Sequence, residues 1–292
     1  MAICEGRTVI ITGAGGGLGR AYALAFAQEG ANVVVNDIRQ EAAEQVAGEI
    51  REGGGQAIAN ADDITTVATA QRIVDAALAA FGDVHVLVNN AGILRDRMFI
   101  SLSEEEWDAV MRVHLKGHFC LANILGKRWR DQAKAGQPVA ARIINTSSGA
   151  GLQGSVGQSN YSAAKGGIAA LTLVQAAELA RYGVTANALA PAARTSMTES
   201  AMPDVVKKPQ DGGFDAWAPE NVAPLVVWLG SALSGHVTGQ VIESQGGRLS
   251  LGDGWRTGVT RDKGAQWRPE EVGQALDQIL AEAPTAQRVW GS

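Results

Sequence analysis

The amino-acid sequence predicts an α/β protein: a single domain built on one doubly wound parallel sheet, followed by a C-terminal extension. Unbroken apolar runs alternate with amphipathic helical patterns along most of the chain, as in parallel sheets covered on both faces. The chain has 292 residues, which suits one large α/β domain, and its 46% hydrophobic content supplies a sizeable core. A glycine-rich turn joins the first strand to the first helix, which is typical of such sheets.

The strands follow from β-branched or apolar runs that end in turn residues. Such runs predict about six strands, which are "TVIIT", "ANVVVND", "QAIANAD", "VHVLVNNAG", "ARIINTSS" and "VTANALAP". The segments between them carry helical patterns, which are "RAYALAFAQEG", "QEAAEQVAGEIREGG", "TVATAQRIVDAALAAFG", "EEEWDAVMRVHLKGHFCLANIL" and "YSAAKGGIAALTLVQAAELARYG". A helical "ENVAPLVVWLGS" and a strand-like "GQVIES" complete the sheet region.

Composition divides the chain into a main domain over residues 1–247 and an extension over 248–292. Residues 192–219 are rich in Pro, Gly and polar side chains, which favours a mobile loop covering a substrate. The extension contains Trp255, Trp267 and Trp290 and predicts one more helix, "PEEVGQALDQILAEA". We expect the apolar stripe of that helix to pack on the chain's own body rather than on a partner; its members are Val272, Leu276, Ile279 and Leu280.

Charge and composition argue against several classes of partner. The formal net charge of −5 disfavours binding to nucleic acid or to an anionic membrane surface, because both need a basic face. No apolar run approaches the ~18 residues that a membrane-spanning helix requires. Cys4 and Cys120 fit neither a disulfide framework nor a metal motif, and no signal peptide is visible. We therefore expect a cytoplasmic protein that binds a small molecule.

The first strand leads into a glycine-rich loop at Thr12–Gly19, and a helix follows at once. Glycines allow a tight turn and a close approach of the backbone to a pyrophosphate, whose charge then lies at the helix N-terminus. The strand–loop–helix context favours this function over a plain tight turn. The predicted cofactor contacts in the loop are Gly13, Gly16, Gly17, Leu18 and Gly19.

The second strand ends in Asp37, which predicts the choice of dinucleotide. A carboxylate at this position accepts hydrogen bonds from the adenosine ribose hydroxyls and repels a 2′-phosphate. Arg39 lies two residues further on and would suit a 2′-phosphate instead. We give Asp37 the greater weight, so the expected cofactor is NAD and the alternative is NADP.

Several motifs together make the chain, from Gly6 to about Gly247, resemble the short-chain dehydrogenase/reductase family, whose fold is the Rossmann fold. They are the Thr-Gly-x-x-x-Gly-x-Gly loop, Asp37, "DDI" at 62–64, "NNAG" at 89–92, "INTSS" to Ser148, "YSAAK" to Lys165 and "NALAP" to Pro191. The resemblance implies that Asp63 and Ile64 lie at the adenine, and that Asn90, Ala91 and Gly92 support the cofactor ribose. It also implies a carboxamide contact by Thr195 or Ser196, although the family's usual Pro-Gly is here Pro191-Ala192.

Tyr161 and Lys165 form the candidate catalytic pair. A spacing of four places both side chains on one helix face, whereas an isolated pair of this kind is usually ordinary helix surface. A tyrosine that acts as a general base near neutral pH needs its pKa lowered by about three from its ordinary value near 10. We expect the Lys165 ammonium to favour the phenolate and the positive nicotinamide ring of NAD⁺ to add to that effect, while Ser148 hydrogen-bonds the substrate oxygen. The resemblance adds contacts of Tyr161 and Lys165 with the cofactor.

The resemblance is strongest to the (3R)-hydroxyacyl-CoA dehydrogenase part of peroxisomal multifunctional enzymes, on "VVVND", "RVHLKGHF", "GQSNYSAAK" and "APLVVWL". It implies oxidation of a hydroxyacyl-CoA or of a bulky lipid or steroid alcohol. It also implies a homodimer or homotetramer, packed partly through the helices that carry Trp107 and Tyr161. The alternatives are an NADPH-dependent 3-oxoacyl or ketone reductase and a catalytically silent NAD-binding scaffold.

Two smaller features have more than one reading. His114 stands where the family usually has an asparagine that supports a proton-relaying water. His114 either keeps that relay in altered form or is a buried histidine whose ring nitrogens are hydrogen-bonded by neighbours. His118 lies one turn further on, but no third ligand is evident, so a metal site is not expected here. Lys207 and Lys208 either meet the phosphates of a CoA ester or, as is commoner, are solvated.

Overall fold

The computed structural model describes residues 2–201, 203–210, 212–254, 257–285 and 287–292. Trp255 of the predicted extension lies outside the described residues. Eight strands are found in the described chain: β1 Thr8–Thr12, β2 Asn32–Asn36, β3 Gln56–Asn60, β4 Val86–Asn89, β5 Ala141–Thr146, β6 Val184–Pro191, β7 Val241–Gln245 and β8 Arg248–Leu251. The α-helices of the same residues are α1 Gly17–Gln28, α2 Gln40–Glu52, α3 Val67–Phe81, α4 Glu104–Met111, α5 Gly117–Lys134, α6 Gly149–Gln153, α7 Ser159–Leu179, α8 Ser196–Ala201, α9 Ala223–Gly230 and α10 Pro269–Glu282.

All eight strands lie in one sheet, in the order β3-β2-β1-β4-β5-β6-β7-β8. The first seven are parallel to their neighbours and β8 is antiparallel to β7. The predicted fold class, a doubly wound sheet of the Rossmann type, is confirmed. Strand order reverses between β1 and β4, and a crevice above the carboxyl ends of the strands at such a switch point is the usual ligand site.

The sheet is larger than the predicted set of about six strands. β7 corresponds to the strand-like "GQVIES", whereas β8 was not predicted and begins just beyond residue 247. Gln245 pairs with Arg248 across a two-residue turn, Gly246-Gly247, in which Gly246 has φ 53°. A Gly-Gly pair between two strands is a hairpin signal that the sequence already contains. The extension therefore starts as an edge strand of the domain.

Apolar side chains fill the space on each face of the sheet. Tyr22 and Phe26 of α1 belong to the core on one face, while Leu121 and Trp129 of α5 belong to the core on the other. All four are fully buried, as expected for strands whose apolar residues are unbroken. In the part of the chain that the structure describes, no helix combines the length and apolar character needed to cross a membrane.

The expected packing of α10 on the chain's own body is wrong. No residue of this helix, all of which the structure describes, is buried. Val272, Leu276 and Leu280 expose 38%, 50% and 70% of their surface. Helices already cover both faces of the sheet, and no residue of α10 belongs to the core on either face. The apolar stripe lies on the outside of the protein.

Candidate active site

The glycine-rich loop holds the carboxyl ends of β1 and β4 in close contact. Gly13 has φ 62°, and a Cβ on it would lie 2.8 Å from the Cα of Ala91. A Cβ on Gly19 would lie 2.2 Å from the carbonyl oxygen of Gly13, so no larger residue fits. Gly16 precedes α1 without a side-chain cap within the described structure, and Gly17 and Leu18 form its first turn. Uncapped backbone N–H groups at a helix start suit the phosphates of a dinucleotide.

Asp37 reaches the glycine-rich loop from the end of β2. Its carboxylate accepts hydrogen bonds from the Gly15 N–H at 3.0 Å and the Arg39 N–H at 3.0 Å. The Arg39 Nε donates to the same carboxylate at 3.2 Å. Asp37 is buried, but the Arg39 side chain is 67% exposed. Arg39 therefore compensates the charge of Asp37 and lies at the edge of the candidate ribose site.

Asp63 and Ile64 lie at the entry to α3. The Asp63 carboxylate accepts hydrogen bonds from the Thr65 N–H at 2.9 Å and the Thr65 hydroxyl at 2.8 Å. Ile64 is buried against Gly117. A Cβ added to Gly117 would lie 2.6 Å from the Cδ1 of Ile64. Both residues thus fix the local backbone, and their contact with an adenine stays a prediction.

Asn90, Ala91 and Gly92 follow β4 and tie it to β1. The Asn90 side-chain amide donates to the carbonyls of Thr12 at 3.0 Å and Gly13 at 3.2 Å. The backbone N–H groups of Asn90 and Ala91 both donate to the Thr12 hydroxyl at 3.0 Å. These bonds fix the glycine-rich loop against the end of β4, and the contact of Asn90, Ala91 and Gly92 with a cofactor ribose stays a prediction.

Ser148, Tyr161 and Lys165 lie together at the end of β5 and the start of α7. The Lys165 Nζ is 5.5 Å from the centre of the Tyr161 ring and donates a 2.5 Å hydrogen bond to the Thr146 carbonyl. Lys165 is only 2% exposed. Ser148 caps α6, accepting from the Ala150 N–H at 3.2 Å, and its hydroxyl lies close enough to the Tyr161 phenol to act toward a lower pKa of that group. The spacing of four residues brings both side chains of the pair to one helix face.

In the chain by itself, Lys165 does not bring the pKa of Tyr161 below its ordinary value. Burial raises the pKa of the Tyr161 phenol, and the nearby Ser148 hydroxyl only partly opposes this. Burial also lowers the pKa of Lys165 to about 7. In a site closed off from water, desolvation disfavours both the phenolate and the ammonium. Additional positive charge at the site is needed to bring the tyrosine toward neutral pH.

His114 packs against the tyrosine from a π-helical turn, Arg112–Lys116, which the sequence did not predict. Its ring lies edge-on to Tyr161 with centroids 5.3 Å apart, and its Nε2 is 2.9 Å from the Ile93 nitrogen. Burial, with repulsion from Lys165, lowers its pKa to about 3. His114 is therefore neutral at physiological pH, as a buried histidine bonded to backbone. π-Helical turns in long helices are frequent at functional sites.

His118, one turn further on, is also buried and neutral. Burial holds its pKa well below the ordinary value, and its Nε2 accepts from the Thr146 N–H at 3.4 Å. Among the described residues, no three His, Cys, Asp or Glu side chains are grouped so as to hold a metal ion.

Thr195 of the covering loop lies against the glycine-rich loop. Its Cγ2 would be 3.4 Å from a Cβ on Gly17, which places it at the start of α1. Arg194 holds this segment, since it donates to the Val206 carbonyl at 2.6 Å and forms an ion pair with Asp215. Ser196 begins α8. The sequence did not indicate the ion pair, because its partners are far apart in the chain.

Lys207 lies on the same loop and is directed to solvent. It pairs with Asp204 at 2.6 Å, and both side chains are more than two-thirds exposed, at 68% and 86%. This arrangement matches the solvated alternative for Lys207.

Comparison with known proteins identifies relatives over nearly the whole chain. Residues 7–205 match the family model described as short chain dehydrogenase. The chain is 45% identical over 257 residues to the hydroxyacyl-CoA dehydrogenase ChsB1 of Mycobacterium tuberculosis, covering 85% of this chain and 80% of that one. It is 43% identical to the mouse peroxisomal multifunctional enzyme type 2, covering 94% of this chain but 37% of that protein.

A bacterial reductase and a crystal structure extend the comparison. The 3-oxoacyl-(acyl-carrier-protein) reductase FabG of Thermotoga maritima is 37% identical, over 83% of this chain and 98% of its own. A short chain dehydrogenase from Mycobacterium avium, solved by crystallography, superposes with a TM-score of 0.91 at 52% identity. That match covers 99% of this chain and 100% of that one. Fold, sequence and the grouping of Ser148, Tyr161 and Lys165 lead to one conclusion: this chain belongs to the short-chain dehydrogenase/reductase family of oxidoreductases.

Proposed function

We propose that the protein is an NAD-dependent dehydrogenase that oxidises a secondary alcohol, with Ser148, Tyr161 and Lys165 as its catalytic residues. The observation that carries the proposal is the contact among these side chains. The Ser148 hydroxyl lies close enough to act on the pKa of the Tyr161 phenol, and the buried Lys165 Nζ is 5.5 Å from the centre of the Tyr161 ring. A phenol beside a buried ammonium suits proton exchange with an alcohol, which is the step that the proposed reaction needs.

Each residue has a distinct task in this reaction. Tyr161 takes the hydroxyl proton of the alcohol, and Ser148 donates a hydrogen bond to the same oxygen as its charge develops. Lys165 favours the phenolate by its charge. A bound nicotinamide dinucleotide would supply the hydride acceptor, and its oxidised ring carries the positive charge that the buried phenol needs. The glycine-rich loop, Asp37 and Thr195 would hold that dinucleotide.

NAD is the proposed cofactor because a nearly buried carboxylate faces the glycine-rich loop. A Cβ on Gly15 would lie 2.8 Å from the Asp37 Oδ2, so this oxygen is at the loop surface where a ribose would bind. Arg39 supports the alternative, an NADPH-dependent reductase, since its side chain is exposed at the same place. The similarity to a 3-oxoacyl-(acyl-carrier-protein) reductase keeps this second candidate open to test.

The proposed substrate is a hydroxyacyl thioester or a comparably bulky lipid or steroid alcohol. The similarity to the hydroxyacyl-CoA dehydrogenase ChsB1 of Mycobacterium tuberculosis supports this class. Apolar side chains are exposed on the segment that leads into α7 and on the covering loop: Val156 exposes 45% of its surface and Phe214 69%. These side chains would favour an apolar acyl or ring system over a small polar alcohol.

A panel of secondary alcohols tests the proposed function directly. Hydroxyacyl-CoA esters, steroid alcohols and 2-propanol are each supplied with NAD or NADP, and reduced cofactor is followed by its absorbance. We expect turnover of a bulky alcohol with NAD. Tight binding of the dinucleotide without oxidation of any alcohol would instead support the silent scaffold.

Lys165 is expected to reduce the stability of the fold in a pH-dependent way. Its pKa is about 7 in the folded protein and 10.5 as an ordinary lysine, so between these values the unfolded chain binds more protons. Stability therefore rises with pH across this window, and the full penalty is present below pH 7. Lys165→Met should be more stable than wild type by about 1–2 kcal/mol at pH 7, with the gain shrinking toward pH 10.

Urea unfolding at several pH values measures this difference. Lys207→Met is the matched control, because Lys207 is an exposed lysine in a surface ion pair and should show little change at any pH. If the gain in stability of Lys165→Met is the same at pH 7 and at pH 10, the lowered pKa of Lys165 is contradicted.

We also propose that two or four copies of the chain assemble through the surface formed by α4, α5 and α7. Trp107, Phe119, Leu173 and Val174 expose 37%, 46%, 51% and 51% of their surface on these helices. Apolar side chains in such number on adjacent helices are typical of a contact surface. Sedimentation of the wild-type chain tests the proposal, and a monomer at micromolar concentration would contradict it.

A reducing compartment such as the cytoplasm completes the proposal. Cys4 and Cys120 are both buried and unpaired in the described structure. Burial raises the pKa of each thiol, which leaves both in the unreactive protonated form.

A further inference from the structure

The last residues of the chain return to the segment between Ser148 and Tyr161. The Val156 N–H donates to the Trp290 carbonyl at 2.9 Å, and the Trp290 N–H donates to the Gly154 carbonyl at 3.3 Å. These bonds form an isolated parallel bridge between Ser155 and Trp290. A chain end is poorly ordered unless something ties it down. The segment 289–292 is tied to the residues that join two of the candidate catalytic side chains.

The Trp290 ring lies on Gly149, the residue that directly follows Ser148. A Cβ on Gly149 would lie 2.3 Å from the Trp290 Cη2 and 2.7 Å from its Cζ2, so only glycine leaves room for the ring. On another side of α6, a Cβ on Gly151 would lie 2.6 Å from the Lys165 carbonyl carbon. The short helix that Ser148 caps is thus held between α7 and the C-terminal segment.

Val289 makes a second contact of the same kind. Its Cγ1 would be 3.4 Å from a Cβ on Gly154, which is ordinary van der Waals contact. The segment therefore contacts both ends of α6, at Gly149 and at Gly154. α10, in contrast, has no buried residue.

We propose that Trp290 is a positioning residue for Ser148: by packing on Gly149 it fixes α6, and with it the serine hydroxyl that caps this helix. The inference rests on the proposed function, in which Ser148 hydrogen-bonds the oxygen of the alcohol. A hydrogen bond to a developing charge is effective only when its donor is held in place before the reaction. The C-terminal segment, distant in sequence, supplies that restraint.

Trp290→Ala should lower kcat for the best alcohol about tenfold and leave the KM for dinucleotide unchanged, since small displacements of a catalytic group are costly. Trp290→Phe, which keeps an aromatic ring on Gly149, should recover most of the rate. Rates are expressed per dinucleotide-binding site, so that unfolded protein does not count. Trp267→Ala is the matched control: this tryptophan also lies in the extension, near Lys263, and should leave kcat unchanged.

Gly149→Ala provides the reciprocal test. In wild type the new methyl group would collide with the indole and should reproduce the loss of kcat. In the Trp290→Ala background the methyl group has room, and alanine is a better helix former than glycine, so it should cost nothing further. Additive losses in the double variant would overturn the proposal.

Amide hydrogen exchange of residues 149–158 gives a readout that does not depend on turnover. Trp290→Ala should speed exchange in this segment, whereas Trp267→Ala should not. Unchanged exchange and unchanged kcat in Trp290→Ala would refute the positioning role. If wild type oxidises no alcohol, the proposed function fails by itself, and the exchange data still decide whether Trp290 holds this segment.

Discussion

Tyr161→Phe is expected to lower kcat/KM for alcohol oxidation by about 1000-fold, while dinucleotide affinity and the fold stay intact. General acid–base catalysis by one side chain commonly contributes about 100-fold to 10,000-fold, and here the phenol is the group placed to take the proton. Phenylalanine keeps the ring that packs edge-on against His114, so packing is preserved. It removes only the phenolic hydroxyl.

Steady-state kinetics with the best alcohol of the panel, together with dinucleotide titration, measures this effect. Tyr182→Phe is the control, since Tyr182 lies beyond the far end of α7 and its ring contacts Arg181. Retention of near-wild-type turnover in Tyr161→Phe would remove Tyr161 from the mechanism. A variant that has lost dinucleotide binding as well would point to a structural effect instead.

Asp37→Asn should shift the ratio of kcat/KM for NAD and NADP by about 100-fold toward NADP. A hydrogen bond to a charged group is worth about 1.5–3 kcal/mol, and each 1.4 kcal/mol is a factor of about ten. Asparagine keeps an oxygen that can accept from the Gly15 N–H, so the loop should not move. It removes the negative charge and releases Arg39 for a 2′-phosphate.

Replacing Arg39 in the wild-type protein and in the Asp37→Asn variant tests the same explanation from the side of the arginine. In the wild-type protein Arg39 is bonded to Asp37, so Arg39→Ala should change the use of NAD little. In the Asp37→Asn background, Arg39→Ala should remove most of the gain with NADP. A wild-type protein that already prefers NADP would overturn the argument from Asp37.

Local patterns were sufficient to predict the dinucleotide cradle and the catalytic candidates. Glycines between a strand and a helix, an acid at the end of the next strand and a Tyr-x-x-x-Lys spacing each describe geometry within a few residues. A helix places residues four apart on one face whatever surrounds it, and parallel strands bring their carboxyl ends to one edge. The resemblance to known enzymes rested on the same short motifs, and the comparisons confirmed the family.

The pKa values of the site residues depend on how deeply each group is buried, and a local sequence pattern does not indicate that burial. Lys165 was expected to lower the pKa of Tyr161, but both groups lie in a site where desolvation is the larger effect. Likewise, the hydrogen bonds that satisfy Asp63 and Asn90 within the protein became evident only with their neighbours in place.

The chain's own periodicity and turn residues determined its sheet, its helices and the residues that meet above β1, β4 and β5, because those depend on short-range geometry. Tertiary structure alone decided three further points: α10 is unpacked, Arg194 pairs with Asp215, and Trp290 returns to Gly149. The two contacts join residues far apart in sequence. Whether such contacts form, and whether α10 finds a surface to pack on, depends on which surfaces the completed sheet leaves uncovered.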